Sequence, residues 1–291
     1  MTDRFRAARD RIAVRSRGAR WAWRGTLVAS LTLGVGVAGA RLLGRPALAY
    51  LLAVPSGILF GLAGAVGFVV GGLLAALWTG TASLPTVAHL AGDLVLVTVG
   101  FLGWAARPPL RPGGPPRAVL SGIFAYLRVA TVALLASVGL TAVALEASGT
   151  VPVAAAVPVL LVGRGPAVLG GVVVLLLAGQ VVDRPATVAD PGSPRRCRAA
   201  RWARGMAPVV LVLGWLIAAS AASLLRQDLT SLPGARAEFA AMLPEAIAPM
   251  ALAAMGPYYP PLQVGGCAVV LVALLGSLAR STGPRFRPLA R

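Results

Sequence analysis

The sequence predicts an all-α protein, a polytopic transmembrane helix bundle of about eight spans with both termini cytoplasmic. Three observations carry that prediction. Of the 291 residues, 57% are hydrophobic and only 12% charged, with a mean hydropathy of +0.81, too few charges to clothe a soluble domain of this length. Several windows of 18 or more apolar residues carry no charge, the length a helix needs to cross a hydrocarbon core. Arginine gathers between those windows, where the positive-inside rule places it. A membrane β-barrel would alternate in segments of about ten residues, whereas these runs are continuous.

The net charge of +18 does not point to nucleic acid. All 27 basic residues are Arg, and the chain has neither Lys nor Asn, as a GC-rich genome would produce. The lipid bilayer is the expected partner, and no nucleic acid is. Cys197 and Cys267 are far apart, and with one histidine in the chain no zinc set can be assembled. No metal or other cofactor is expected. The N-terminus does not read as a signal peptide, because Arg-rich sequence precedes the first apolar run and no small-residue cleavage site follows closely.

The first 24 residues hold eight arginines and read as a cytoplasmic arm. A first span covers about 25–43. The run that follows, 46–79, would be about 50 Å long as one helix, well beyond a core of about 30 Å. Pro55 and Gly57 offer a break, since proline removes a donor and disfavours helix just before it. Charge supports two crossings. The fourth run, 88–106, leads to a loop with Arg107, Arg111 and Arg117, which is cytoplasmic only if three spans follow the first.

A fifth span covers about 118–146, with an outer turn near Ser148–Pro152. A proline-interrupted stretch, 153–182, returns to a basic cytoplasmic loop, 183–205, which carries six arginines. Spans at about 207–225 and 262–279 follow, and the tail ends inside. The chain thus divides into the arm 1–24, a six-span bundle 25–182, the loop 183–205, and a two-span unit 206–291. Within the last, 227–261 is an outer segment whose "YYPP" offers an interfacial aromatic anchor. Arg41 and Arg45 are exceptions to the charge bias and fall on the outer side.

The chain has no H-E-x-x-H, C-x-x-C, G-x-S-x-G or P-loop sequence, so it is not expected to be an enzyme. Ionisable groups at membrane depth are the informative ones, because placing them there is costly. His89 and Asp93, four residues apart, share a helix face near the outer end of the fourth span. Arg128 lies within the fifth span and Glu146 at its outer end. These four are the candidate substrate-binding residues, with an Asp93–Arg128 ion pair as the structural alternative. Gln180 and Asp183 sit at the cytoplasmic edge, where solvation accounts for them. Gly57, Gly61, Gly64, Gly67 and Gly71 recur at three- and four-residue spacing along the third span and its entry. They predict close approach by another helix.

The stretch "PSGILFGLAGAVGFVVGGLLAALWTG", followed by "HLAGDLVLVTVGFLGW", resembles the membrane-embedded substrate-binding (S) components of energy-coupling-factor type vitamin transporters. It is most similar to the prokaryotic integral membrane proteins related to them. Leu59-Phe60-Gly61, Gly80-Thr81 and Gly92-Asp93-Leu94 stand at the places of that pattern, and "LEASGTVPVAAAVPVLLVGRGPAVL" resembles its later part. The likeness covers about residues 46–180. Relatives commonly carry Asn and Asp in the glycine-rich span, where this chain has Gly71-Gly72 and Ala75-Ala76, and the last two spans exceed the six-span plan. The resemblance implies a six-helix bundle in a prokaryotic plasma membrane, loaded with a vitamin-like solute from outside. It also implies coupling to a membrane coupling protein and ATPase subunits through small-residue faces. The alternative is a non-transporting subunit that senses, anchors or assembles a larger membrane complex. The first reading needs polar groups converging inside the bundle; the second needs only a free small-residue or apolar face.

Overall fold

A computed structural model of the chain describes residues 33–44, 46–104, 115–178, 198–231, 234–245, 248–249, 252, 256 and 259–282. The arm 1–24, Arg45, Arg107, Arg111, Gln180, Asp183, Cys197, Tyr258 and the tail beyond 282 lie outside the described residues. Every element among the described residues is a helix. In chain order these are α1 (Leu33–Leu42), α2 (Pro46–Phe60), α3 (Leu62–Trp78), α4 (Leu84–Trp104), α5 (Pro116–Ala147), α6 (Val153–Ala178), α7 (Arg198–Ser231), α8 (Ala235–Ala241) and α9 (Tyr259–Thr282).

Among the described residues, five stretches are long and apolar enough to cross a membrane: α4, α5, α6, Met206–Asp228 within α7, and Tyr259–Leu278 within α9. The described part of α1, together with α2 and α3, is shorter. At 15 and 17 residues, α2 and α3 reach about 22 and 25 Å, less than a hydrocarbon core of about 30 Å. Among the described residues the protein is therefore an all-helical membrane bundle with five helices of full spanning length.

The expected break in 46–79 exists, but at Gly61. Pro55 lies inside α2, and α3 begins at Leu62. Gly61 has φ 65° and ψ −141°, a conformation that a Cβ disfavours strongly. Its N–H closes α2 on the Gly57 carbonyl at 2.8 Å, and its own carbonyl accepts from Ala65 at 3.3 Å. The chain reverses there, since a side chain on Gly64 would overlap the Ser56 carbonyl eight residues back.

Proline fails to break α2 because it removes only one donor. The Leu51 carbonyl, which loses that partner, lies against Gly171 of α6, where a Cβ would come within 2.7 Å of it. A neighbouring helix thus covers the defect, as bundles in lipid allow. Likewise α6 runs through Pro158 and Pro166 without interruption.

The glycines do not serve one partner helix. Gly57, on α2, faces the Val97 carbonyl of α4, and Gly61 faces the Phe101 ring. Gly64 packs on Ser56, while Gly67 and Gly71 meet Gly34 of α1. Contacts at Gly57–Val97 and Gly61–Phe101 advance together, so α2 runs in the same sense as α4. Gly72–Leu90 and Gly61–Phe101 run α3 against it. Leu43–Gly44, the 79–83 turn and the 148–152 turn therefore lie at one end of the bundle, and Gly61 at the other.

Helix α5 is the hub. Gly103 of α4 sits on Val129, and Tyr126 donates to the Val168 carbonyl of α6 at 2.7 Å. The Trp215 ring of α7 occupies the space a Gly139 side chain would need. Helix α9 is tied to α7 by Gln263, which donates to the Ala219 carbonyl at 3.2 Å.

Candidate functional site

A polar centre lies inside the bundle where α1, α2, α4, α5 and α6 converge. Asp93 is nine residues into α4, about 14 Å from its first residue, and has no exposed surface. It is thus near mid-helix, deeper than the outer-end position expected from the sequence. Gly92 beside it makes the burial feasible. Thr141 Oγ1 stands where a Gly92 side chain would be, so α4 and α5 close tightly around the carboxylate.

Two arginines converge on Asp93. Arg41, in the last turn of α1, donates through Nη2 to Asp93 Oδ2 in a close ion pair. Arg164, eleven residues into α6 and 3% exposed, places Nη1 3.6 Å from Asp93 Oδ1. The same Nη1 donates to Ser137 Oγ on α5 at 3.1 Å. Arg164 Nη2 lies 2.6 Å from His89 Nδ1. A guanidinium has no acceptor, so Nδ1 accepts and the imidazole is neutral with its proton on Nε2.

Aromatic rings hold the cations in place. The Arg164 guanidinium is 5.0 Å from the Tyr50 ring centroid, and Arg41 lies 5.8 Å from Tyr50 and 5.9 Å from Phe68. Such stacking favours a desolvated guanidinium. Gly72 supplies the remaining room, because a Cβ there would stand 3.0 Å from Arg41 Nη1.

Positive charge exceeds negative at this centre. Two guanidiniums, one carboxylate and a neutral imidazole sum to +1 at the centre, and Asp93 is the only acidic partner of these arginines among the described residues. Among the described residues, two buried atoms of this centre also lack hydrogen bonds, Arg41 Nε and Asp93 Oδ1. Buried charge without full compensation costs several kcal/mol, roughly, and such groups inside membranes mark functional sites more often than not.

Of the four residues selected from the sequence, His89 and Asp93 belong to this centre. Arg128 does not, and the Asp93–Arg128 pair does not form. Arg128 is exposed on α5, nine residues before Ser137. Nine residues rotate a helix by about 180° and advance it about 14 Å, placing Arg128 on the opposite face at another depth. Glu146 lies in a second polar group. Ser223 of α7 donates to its Oε1 at 3.1 Å and the Val153 N–H to its Oε2 at 3.4 Å. Nearby, Arg226 covers the Tyr259 ring at 4.6 Å.

Sequence reasoning passes over Arg41, Tyr50, Ser137 and Arg164. Arg164 carried a usable signal, being a charge in the middle of an apolar run like Asp93. Arg41 looks like an outer flanking arginine, and only the fold shows it turning inward. Among the described residues, no group of His, Cys, Asp and Glu is arranged to hold a metal ion. Compared with protein-family models, with curated proteins and with solved structures, the chain matches none.

Proposed function

We propose that this integral membrane protein binds a small solute at the Arg41–His89–Asp93–Arg164 centre, as the recognition step of uptake across a prokaryotic plasma membrane. One observation carries the reading: a charged, aromatic-flanked centre with unspent hydrogen-bonding capacity sits near mid-helix among apolar helices. An inert anchor gains nothing from that expense. The likeness of residues 46–180 to S components supports the same function. Since the sequence carries no P-loop, uptake would draw energy from separate coupling-protein and ATPase subunits.

The alternative of a sensing, anchoring or assembly subunit needs a free packing face. The glycines that suggested such a face, Gly57, Gly61, Gly64, Gly67 and Gly71, are all turned onto helices of this chain. Native mass spectrometry of the full chain in a neutral detergent tests the binding reading. A released small molecule is expected from the wild type and not from Arg164→Gln. A chain that releases none, and whose melting temperature no soluble compound shifts, is an anchor.

A further inference from the structure

The residual charge and the geometry of the two arginines narrow the solute class, on the premise that the centre is a binding site. We infer that the solute is a small organic monocarboxylate, held through its carboxylate by Arg41 with Arg164 behind it.

Both guanidiniums remain protonated in any accessible environment, and His89 is neutral because its Nδ1 accepts from Arg164. With Asp93 the centre carries +1, so one monoanion brings it to zero. A neutral solute leaves the excess in place. A phosphate, with a charge of about −1.5 to −2 near neutral pH, overshoots, and a cation raises the excess further.

The donor geometry agrees. Arg41 spends Nη2 on Asp93, yet its Nε–H is buried without a partner. That N–H is a free donor beside Nη2, the other prong of the planar side-on fork, which Asp93 shares. Arg164, by contrast, is already committed to Ser137 and His89. It supplies field more than free donors.

Access points to the same residue. The Arg41 side chain is 19% exposed, against 4% for Arg164 and 0% for Asp93. Arg41 stands two residues before the Leu43–Gly44 turn, so a solute arriving from that end meets its guanidinium first. A phospholipid headgroup is a poor occupant, because Asp93 lies about 14 Å below the start of α4, far from the interface where headgroups reside.

The test compares acids with their own amides on the full chain in a neutral detergent. Acetate, benzoate and nicotinate are titrated against acetamide, benzamide and nicotinamide, with inorganic phosphate and chloride at matched ionic strength. A saturable rise in melting temperature of about 3 °C or more at tenfold excess over Kd is expected for at least one acid and for no amide. Arg41→Gln is expected to abolish it, and Arg41→Lys, which keeps charge but loses the fork, to weaken it at least tenfold. The acid–amide comparison needs no variant, so it decides the matter even if Arg41→Gln fails to fold.

An amide that binds as well as its acid overturns the anion assignment while leaving a solute site in place. Phosphate binding ahead of every carboxylate overturns the monocarboxylate. A shift produced by phosphatidylglycerol in phosphatidylcholine nanodiscs, with no response to soluble acids, assigns the centre to a lipid headgroup and overturns the inference. No saturable response to any of these probes overturns it as well, and the mass-spectrometric result then decides separately whether a solute site exists.

Discussion

Gly71 of α3 and Gly34 of α1 meet backbone to backbone, and a side chain on Gly71 would overlap the Gly34 carbonyl. Because the obstacle is main chain rather than a flexible side chain, α1 must move to admit even a methyl group. Gly71→Ala is expected to destabilise the protein by about 1–3 kcal/mol, the usual range for overpacking. Gly36 on the same helix has nothing within 4 Å of its Cβ position. Gly36→Ala should be neutral or stabilising by up to about 1 kcal/mol, since alanine is the better helix former. Thermal denaturation in detergent, followed by circular dichroism, compares the two. Equal melting temperatures would show that α1 does not pack here.

Asp93 compensates two arginines at once, so the three charges should couple. Asp93→Asn leaves both guanidiniums buried and uncompensated, at a cost of about 3–5 kcal/mol. Adding Arg164→Gln to Asp93→Asn should cost less than the sum of the single changes, because the second removes a charge the first had stranded. Arg128→Ala, on the exposed face of α5, should stay within about 0.5 kcal/mol of the wild type. Additive effects for Asp93 and Arg164, or a large effect at Arg128, would refute the assignment of partners.

How much of this was legible in the sequence depends on whether the signal was local. The helices were, because long uncharged apolar runs admit no other structure in lipid. His89 and Asp93 were also legible, being ionisable groups within one such run. The break in 46–79 was misplaced because proline looks like the stronger breaker. Inside a bundle the strained backbone of Gly61 reverses the chain, and a neighbour absorbs the loss at Pro55. The pairing of Asp93 was out of reach, since Arg41 lies 52 residues away on a helix whose packing no local pattern fixes. The glycine spacing signalled close approach, but could not show that α1, α2 and α4 share it.

Glu146 links α5 to α7 through Ser223 and to the start of α6 through the Val153 N–H. Glu146→Leu removes both acceptors and leaves the buried Ser223 hydroxyl without this partner. The expected cost is about 1.5–3 kcal/mol, appropriate to hydrogen bonds with a charged group. Since the ties converge at one end of α7, amide exchange should quicken there more than at Trp215. Uniformly faster exchange across α7 would instead assign Glu146 a global role.

The reversal at Gly61 makes the sharpest topological prediction. A continuous crossing over 46–79 would put Leu43 and Thr81 on opposite sides of the membrane, whereas a hairpin puts them on the same side. In a Cys197→Ser background, where the remaining Cys267 is buried, single cysteines at Leu43, Thr81 and Thr150 should all label from outside with a membrane-impermeant maleimide. Arg117→Cys should label only after permeabilisation, as the positive-inside rule requires of an arginine-flanked loop. Opposite sides for Leu43 and Thr81 would refute the hairpin. Leu62→Cys then measures its depth, because Leu62 is exposed just past the turn. With α2 and α3 at about 22 and 25 Å, the tip falls short of the far interface unless the bilayer thins around it. Labelling at Leu62 should therefore be slow from the cytoplasmic side, slower than at Arg117. Labelling as fast as at Arg117 would make α2 and α3 two complete crossings, and none from either side would make them a buried re-entrant hairpin.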